Sequence, residues 1–170
     1  FVLRPPAYRG DRLILNGRRL TVDAVFLDPA TPPWMHALSL LRKAFQVGPG
    51  ASDADRVAFF DQAAALRALP VAALHSQSPR AALAFFLNLH HALLQHALLV
   101  LGAPKKPTEI ATFAPTASYD LLGDVFSLHE IAVCVLRGEF LLGEEGGLRP
   151  EDDDDPQQPA SGSAAAAAAA

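Results

Sequence analysis

Four polar side chains able to move protons or fix a substrate fall close together in this chain: Asn88, His91, Gln95 and His96. At about 100° per residue, Asn88, His91 and Gln95 share one narrow stripe of a helix with His96 at its edge, while His90 faces the other way. Imidazoles in such a seam suit acid–base work, and the amides suit orienting a ligand or a backbone. With Arg137 closing it, the seam reads as a candidate polar pocket. A metal site is not expected. His90 and His91 point about 100° apart, and the gap to His96 does not reproduce the one-face His pair of H-E-x-x-H.

Cys134 with His96 or His129 would make a thiolate and base pair of the papain or transglutaminase kind. Such a nucleophile needs a helix N-terminus or an electropositive cleft. Cys134 instead sits between Val133 and Val135 inside a helical pattern, where an inert buried thiol belongs. Arg137, just before Gly138, is a charge suited to a helix C-terminus. No Gly-rich phosphate loop, serine elbow or paired-cysteine spacing occurs. No cofactor is therefore expected, and catalytic residues stay unassigned.

The element that must position the seam runs from Ser78 to Gly102. Ser78 is an N-cap, Pro79 suits the first turn, and Gly102 with Pro104 ends the helix. No charged side chain lies between Arg80 and Lys105, so a central, largely buried helix is expected, with Phe85, Leu89 and Leu93 in the core. The stretch has the roughly 20-residue length of a membrane span, but its Asn, His and Gln residues favour a core helix, and no membrane span is expected. Buried amides demand partners. Asn88 and His96 are expected to bond backbone groups of a ribbon over residues 118–126, with Asn88→Ala costing ~1–3 kcal/mol.

Around that helix the chain reads as α+β and mainly helical, with small β-hairpins packed on it. Asn16-Gly17 between two apolar runs predicts a hairpin over Arg12 to Val22. A short helical turn is expected from Thr21, ending at Asp28-Pro29. The next helix covers Pro33 to Gln46 with Trp34, Leu38, Leu41 and Phe45 inward. Another starts at Ser52 and runs to about Ala68 with Val57, Phe60 and Ala64 inward. Beyond Pro107, a hairpin about Gly123-Asp124 precedes a capping box, Ser127 to Glu130, that opens a helix ending at Gly138. Its inward positions are Leu128, Ile131, Cys134 and Val135. Three divisions are expected: 1–50, a hairpin plus helix; 51–142, a domain core; and 143–170, a disordered acidic and polyalanine tail.

The 170 residues carry a formal charge of −4. The acidic run Glu151 to Asp155 accounts for that sign; the rest is nearly neutral, which gives no electrostatic case for nucleic acid. A single cysteine fits a reducing, intracellular compartment, the cytoplasm. Arg9-Gly10-Asp11 is an adhesion tripeptide with no other extracellular feature to accompany it. The chain starts at Phe1 and stops within alanines, so it is expected to be a fragment of something longer.

The central helix resembles a known family. Ala84-Phe85-Phe86-Leu87-Asn88-Leu89-His90-His91-Ala92-Leu93, followed by His96, is similar to the signature of the domain of unknown function 547 family, A-F-W-x-N-L-Y-N-A-L followed by a His. A second family block, a Tyr, a Gly-containing turn and S-L-x-x-I-E-x-x-I-L-R-G, is matched by Tyr119, Gly123, Ser127, Leu128, Ile131, Val135, Leu136, Arg137 and Gly138. The resemblance covers about Val57 to Phe140. His90-His91 replace the family's Tyr-Asn, Ala132 replaces a Glu, and the family's next strand, leading to a Cys- or Ser-containing turn, is missing. The resemblance therefore implies a truncated copy, of algal or plant type, in which fusion to other domains is common. It implies no activity, because the family has none established.

The expected function is a non-catalytic interaction or scaffold module with a protein partner or fused domain. The alternative is a fragment of a thiol- or His-dependent hydrolase or transferase whose nucleophile block lies outside the chain. Gly17 to Val25 and Gly123 to Ile131 also share one spacing of turn, cap and apolar residues, from common local physics or from an earlier copy of the second block.

Overall fold

Twenty-three residues from Pro79 to Leu101 form the longest helix of the computed structural model, which describes residues 7–18, 27–48, 50–121 and 123–136. Its ends follow the sequence signals. The Ser78 hydroxyl accepts from the Ala81 N–H at 3.3 Å, and Gly102 leaves the helix at φ 78°. This helix is α4. Ahead of it lie α1 (Pro33–Gln46), α2 (Asp53–Ala65, extended by a 3-10 turn Leu66–Ala68) and α3 (Val71–His75). After it come α5 (Pro107–Thr116) and α6 (Leu128–Glu130), which continues as a π-helix over Ile131–Leu136.

The strands β1 (Ala7–Arg9), β2 (Arg12–Ile14), β3 (Ala117–Leu121) and β4 (Asp124–Ser127) form a sheet in the order β1-β2-β3-β4. Two hairpins meet along a parallel seam in which Leu13 pairs with Ala117 and Ile14 with Ser118. A parallel pair needs a long crossover, and α1 to α5 supply it. The architecture is α+β and mainly helical, as the sequence implies.

Phe85, Leu89 and Leu93 of α4 are each 0% exposed. Burying each contributes roughly 1.5–3 kcal/mol. They pack with Leu13 of β2, Leu40 of α1, Phe59 of α2 and Tyr119 and Leu121 of β3 into one core. The helix is long and apolar enough to cross a membrane by length and composition, but only 33% of its apolar window is buried. The expectation of a largely buried helix is corrected to one covered inner face, with Leu83, Leu87 and Leu101 exposed on the other.

Several local expectations are corrected. The first hairpin turns at Gly10-Asp11, with Gly10 at φ 66°, and not at Asn16-Gly17. Asn16 is instead buried, its amide engaged in tertiary hydrogen bonds. The inner face of α1 is Pro33, Ala37, Leu40 and Ala44, one position back from the predicted stripe, and Phe45 is 64% exposed. Small residues at Ala37 and Ala44 let the helix backbones approach, which places the larger side chains on the flanks. Helix α5 was not signalled by periodicity, yet Pro107 opens it and the Glu109 carboxylate accepts the Lys105 and Lys106 N–H groups. The helix predicted from Ser127 becomes a π-helix after one turn, with Leu128 and Ile131 buried as expected. The turn from Thr21, the comparison of Gly17–Val25 with Gly123–Ile131, Arg137 and the tail 143–170 lie wholly or in part outside the described residues.

Candidate functional site

His96 faces the core from the C-terminal half of α4 and is 2% exposed. Its Nδ1 lies 2.8 Å from the Tyr119 hydroxyl on β3. Phe60 stacks on the imidazole at 5.0 Å and Phe59 meets it edge-on at 5.1 Å. Desolvation in this aromatic box pushes the His96 pKa down to about 3 and pushes the Tyr119 phenol well above its ordinary value. The pair is therefore neutral. Either the phenol donates to Nδ1 or Nδ1–H donates to the phenol oxygen, and both tautomers satisfy two buried polar groups.

The other members of the predicted seam do not join it. Asn88 and Gln95 are half-buried and make no side-chain hydrogen bond among the described residues. His91 is exposed and donates Nδ1–H to the Leu87 carbonyl at 2.8 Å on its own helix. His90 is half-buried beside it, its pKa lowered by burial and then by the neighbouring His91. The expected ribbon partner of His96 is a side chain, Tyr119, and not a backbone group. Arg137 falls outside the described residues. Among those residues no group of three or more His, Cys, Asp or Glu converges as a metal would need.

Two further polar clusters tie the N-terminal strands to the rest. Asn16 Oδ1 accepts from the Asp120 N–H at 2.8 Å while its Nδ2 donates to the Asp120 carbonyl at 2.8 Å. This side chain thus imitates one more residue of the β2–β3 ladder. Arg12 grips Glu130 with two N–H···O bonds and also donates to the Val125 carbonyl. Glu130 in turn accepts from the Ser127 N–H and hydroxyl, closing the capping box. Partial burial raises the Glu130 pKa, but the hydrogen bonds from Ser127 and Arg12 more than offset it and hold the carboxyl below its usual range. Beside this clamp opens a cavity of about 540 Å³, lined by Arg9, Asp124, Phe126 and Val135 as well.

Sequence reasoning missed Asn16 as a structural group because its dipeptide spells a turn. It missed Arg12 because nothing local marks an ion pair reaching across the sheet. Tyr119 did carry a signal, as the first residue of the second motif block.

Chemically, the centre holds a neutral His–Tyr pair, bonded through Nδ1 and walled by aromatic rings, which fixes β3 against α4. No curated protein and no solved structure matches the chain. The family model described as protein of unknown function, DUF547, matches residues 74–165. That span takes in α4, the β3–β4 hairpin and the capped π-helix, the elements that carry both motif blocks, and it is more than half of the chain: this protein belongs to the DUF547 family.

Proposed function

We propose that this chain is a non-catalytic interaction module, intracellular, that docks an apolar helix of a partner protein or fused domain on the outer face of α4. The observation that carries this reading is the outer stripe of α4. Leu83, Leu87 and Leu101 are 48%, 40% and 44% exposed. With half-buried Leu94, the run Leu87, Leu94, Leu101 repeats every seven residues and has no charge beside it. A seven-residue apolar repeat is the spacing at which one helix receives another. The inward chemistry supports the same reading, since the His96–Tyr119 pair is closed off by Phe59 and Phe60.

A photo-cross-linking residue placed at position 87 of the full-length protein tests it. The expected result is an adduct with one discrete protein, lost in the Leu83→Asp variant while the melting temperature stays unchanged. Flotation of the wild type with lipid vesicles would overturn the reading in favour of a membrane surface. Turnover of an activated ester that disappears with His96→Ala would overturn it in favour of catalysis.

A further inference from the structure

The strand order β1-β2-β3-β4 leaves β4 with no strand beyond it among the described residues. Parity decides which of its backbone groups face outward. The Ser118 carbonyl accepts from the Leu15 N–H at 2.9 Å, and both backbone groups of Asp120 meet Asn16, so Ser118 and Asp120 turn their N–H and C=O toward β2. Ser127 pairs with Ser118 and Val125 with Asp120 in the antiparallel ladder. Ser127 and Val125, and Gly123 by the same alternation, therefore point their N–H and C=O away from the sheet.

An edge of this kind is a template for another strand. Here side chains already occupy it. Arg9 donates to the Gly123 carbonyl at 3.4 Å, Arg12 donates to the Val125 carbonyl, and the Glu130 carboxylate accepts the Ser127 N–H at 2.8 Å. Both arginines come from the N-terminal hairpin, more than a hundred positions away in sequence. The cavity of about 540 Å³ opens along the same strand, lined by Asp124, Val125 and Phe126. Stability alone does not account for the arrangement: the Arg12 and Glu130 side chains are 34% and 30% exposed, and ion pairs that accessible contribute about 1 kcal/mol or less.

We propose that the outer edge of β4 is a strand-pairing surface for a second copy of this chain, and that Arg9, Arg12 and Glu130 hold it shut. The edge is its own complement. In an antiparallel β4–β4 pair centred on Val125, the two Val125 residues exchange N–H···O=C bonds, and the Gly123 carbonyl of each copy meets the Ser127 N–H of the other. Asp124 then lies opposite Phe126 of the second copy, so no like charges are brought together. The donors and acceptor that the three side chains supply are the ones such a strand would supply.

Sedimentation velocity over a concentration series tests the assignment on the whole chain. The triple variant Arg9→Ala, Arg12→Ala, Glu130→Ala is expected to reach twice the wild-type mass as concentration rises. Adding Val125→Pro, which removes an outward N–H and leaves the ladder to β3 intact, is expected to restore the wild-type mass. If the triple variant loses its cooperative urea transition, Arg9→Met with Arg12→Met, which keeps the Ser127–Glu130 cap, takes its place with the same expected doubling. Unchanged mass in a variant that keeps its urea transition would overturn the proposal, and so would association that Val125→Pro does not reverse. Leu83→Asp is expected to leave the doubling in place, since the β4 edge and the α4 face are separate surfaces and either proposal can fail alone.

Discussion

Two asparagines carry opposite lessons about where polar groups matter. Asn88 lies in the motif block, yet it is half-buried and without a side-chain hydrogen bond among the described residues. Asn16 lies outside the family match, is 0% exposed, and satisfies both backbone groups of Asp120. Asn16→Ala is therefore expected to lower the unfolding free energy by ~1–3 kcal/mol, the cost of orphaning buried partners, and Asn88→Ala to change it by less than ~0.5 kcal/mol. Urea denaturation of the two variants decides between them. A larger loss for Asn88 would restore the buried-seam reading. His96 was legible as a buried group from the uncharged run around it. Its partner was legible only as far as the ribbon 118–126, because the bond to the Tyr119 hydroxyl itself joins a helix to a strand and leaves no trace in local spacing.

At the scale of elements, termini were read well and faces less so. The caps at Ser52 and Ser78 and the box at Ser127–Glu130 all stand where the sequence puts them, since each is a local hydrogen bond between near neighbours. The inner face of α1 was misplaced by one residue because hydrophobicity favours the bulky side chains, whereas close packing favours Ala37 and Ala44. The π-helix was invisible in the same way, as an extra residue per turn has no composition. The capping box also receives a distant partner, and this makes a prediction. Arg12→Ala and Glu130→Ala are expected to couple by about 1 kcal/mol in a double-mutant cycle, a modest value because both side chains are about one-third exposed. The sign with pH follows from the lowered Glu130 pKa: the contribution is present above its unfolded pKa and fades as pH falls through the folded one. Coupling that is absent at pH 7 would show the pair to be decorative.

The whole molecule is held by contacts that cross from the first fifty residues into the family segment. β2 pairs with β3, and Leu13 and Leu40 share the core with Phe85 and Leu93. A chain starting at Ala51 is accordingly expected to lose its cooperative urea transition and bind a hydrophobic dye, while a sharp two-state transition would mark the first fifty residues as an appendage. The general class, mainly helical α+β about one uncharged helix, was legible because the composition of α4 marks it as the element the others pack on. That only one of its faces is buried was not, since an uncharged outer face reads the same as an inner one. The sheet was not, since a parallel pair between residues more than a hundred positions apart has no local signature.

The conspicuous histidine of the motif helix is spent on holding this core together. A histidine whose folded pKa is lowered to about 3 against an unfolded value near 6.5 binds its proton in the unfolded state first, so stability is full above pH 6.5 and falls as pH drops toward 3. From pH 7 to pH 5 that amounts to about 2 kcal/mol. The direct measurement is the unfolding free energy at those two pH values for the wild type and for the double variant His96→Leu with Tyr119→Phe, which removes both partners and leaves neither orphaned. The wild type is predicted to lose about 2 kcal/mol more than the double variant on acidification; equal losses in the two proteins would contradict the claim and place His96 in contact with water.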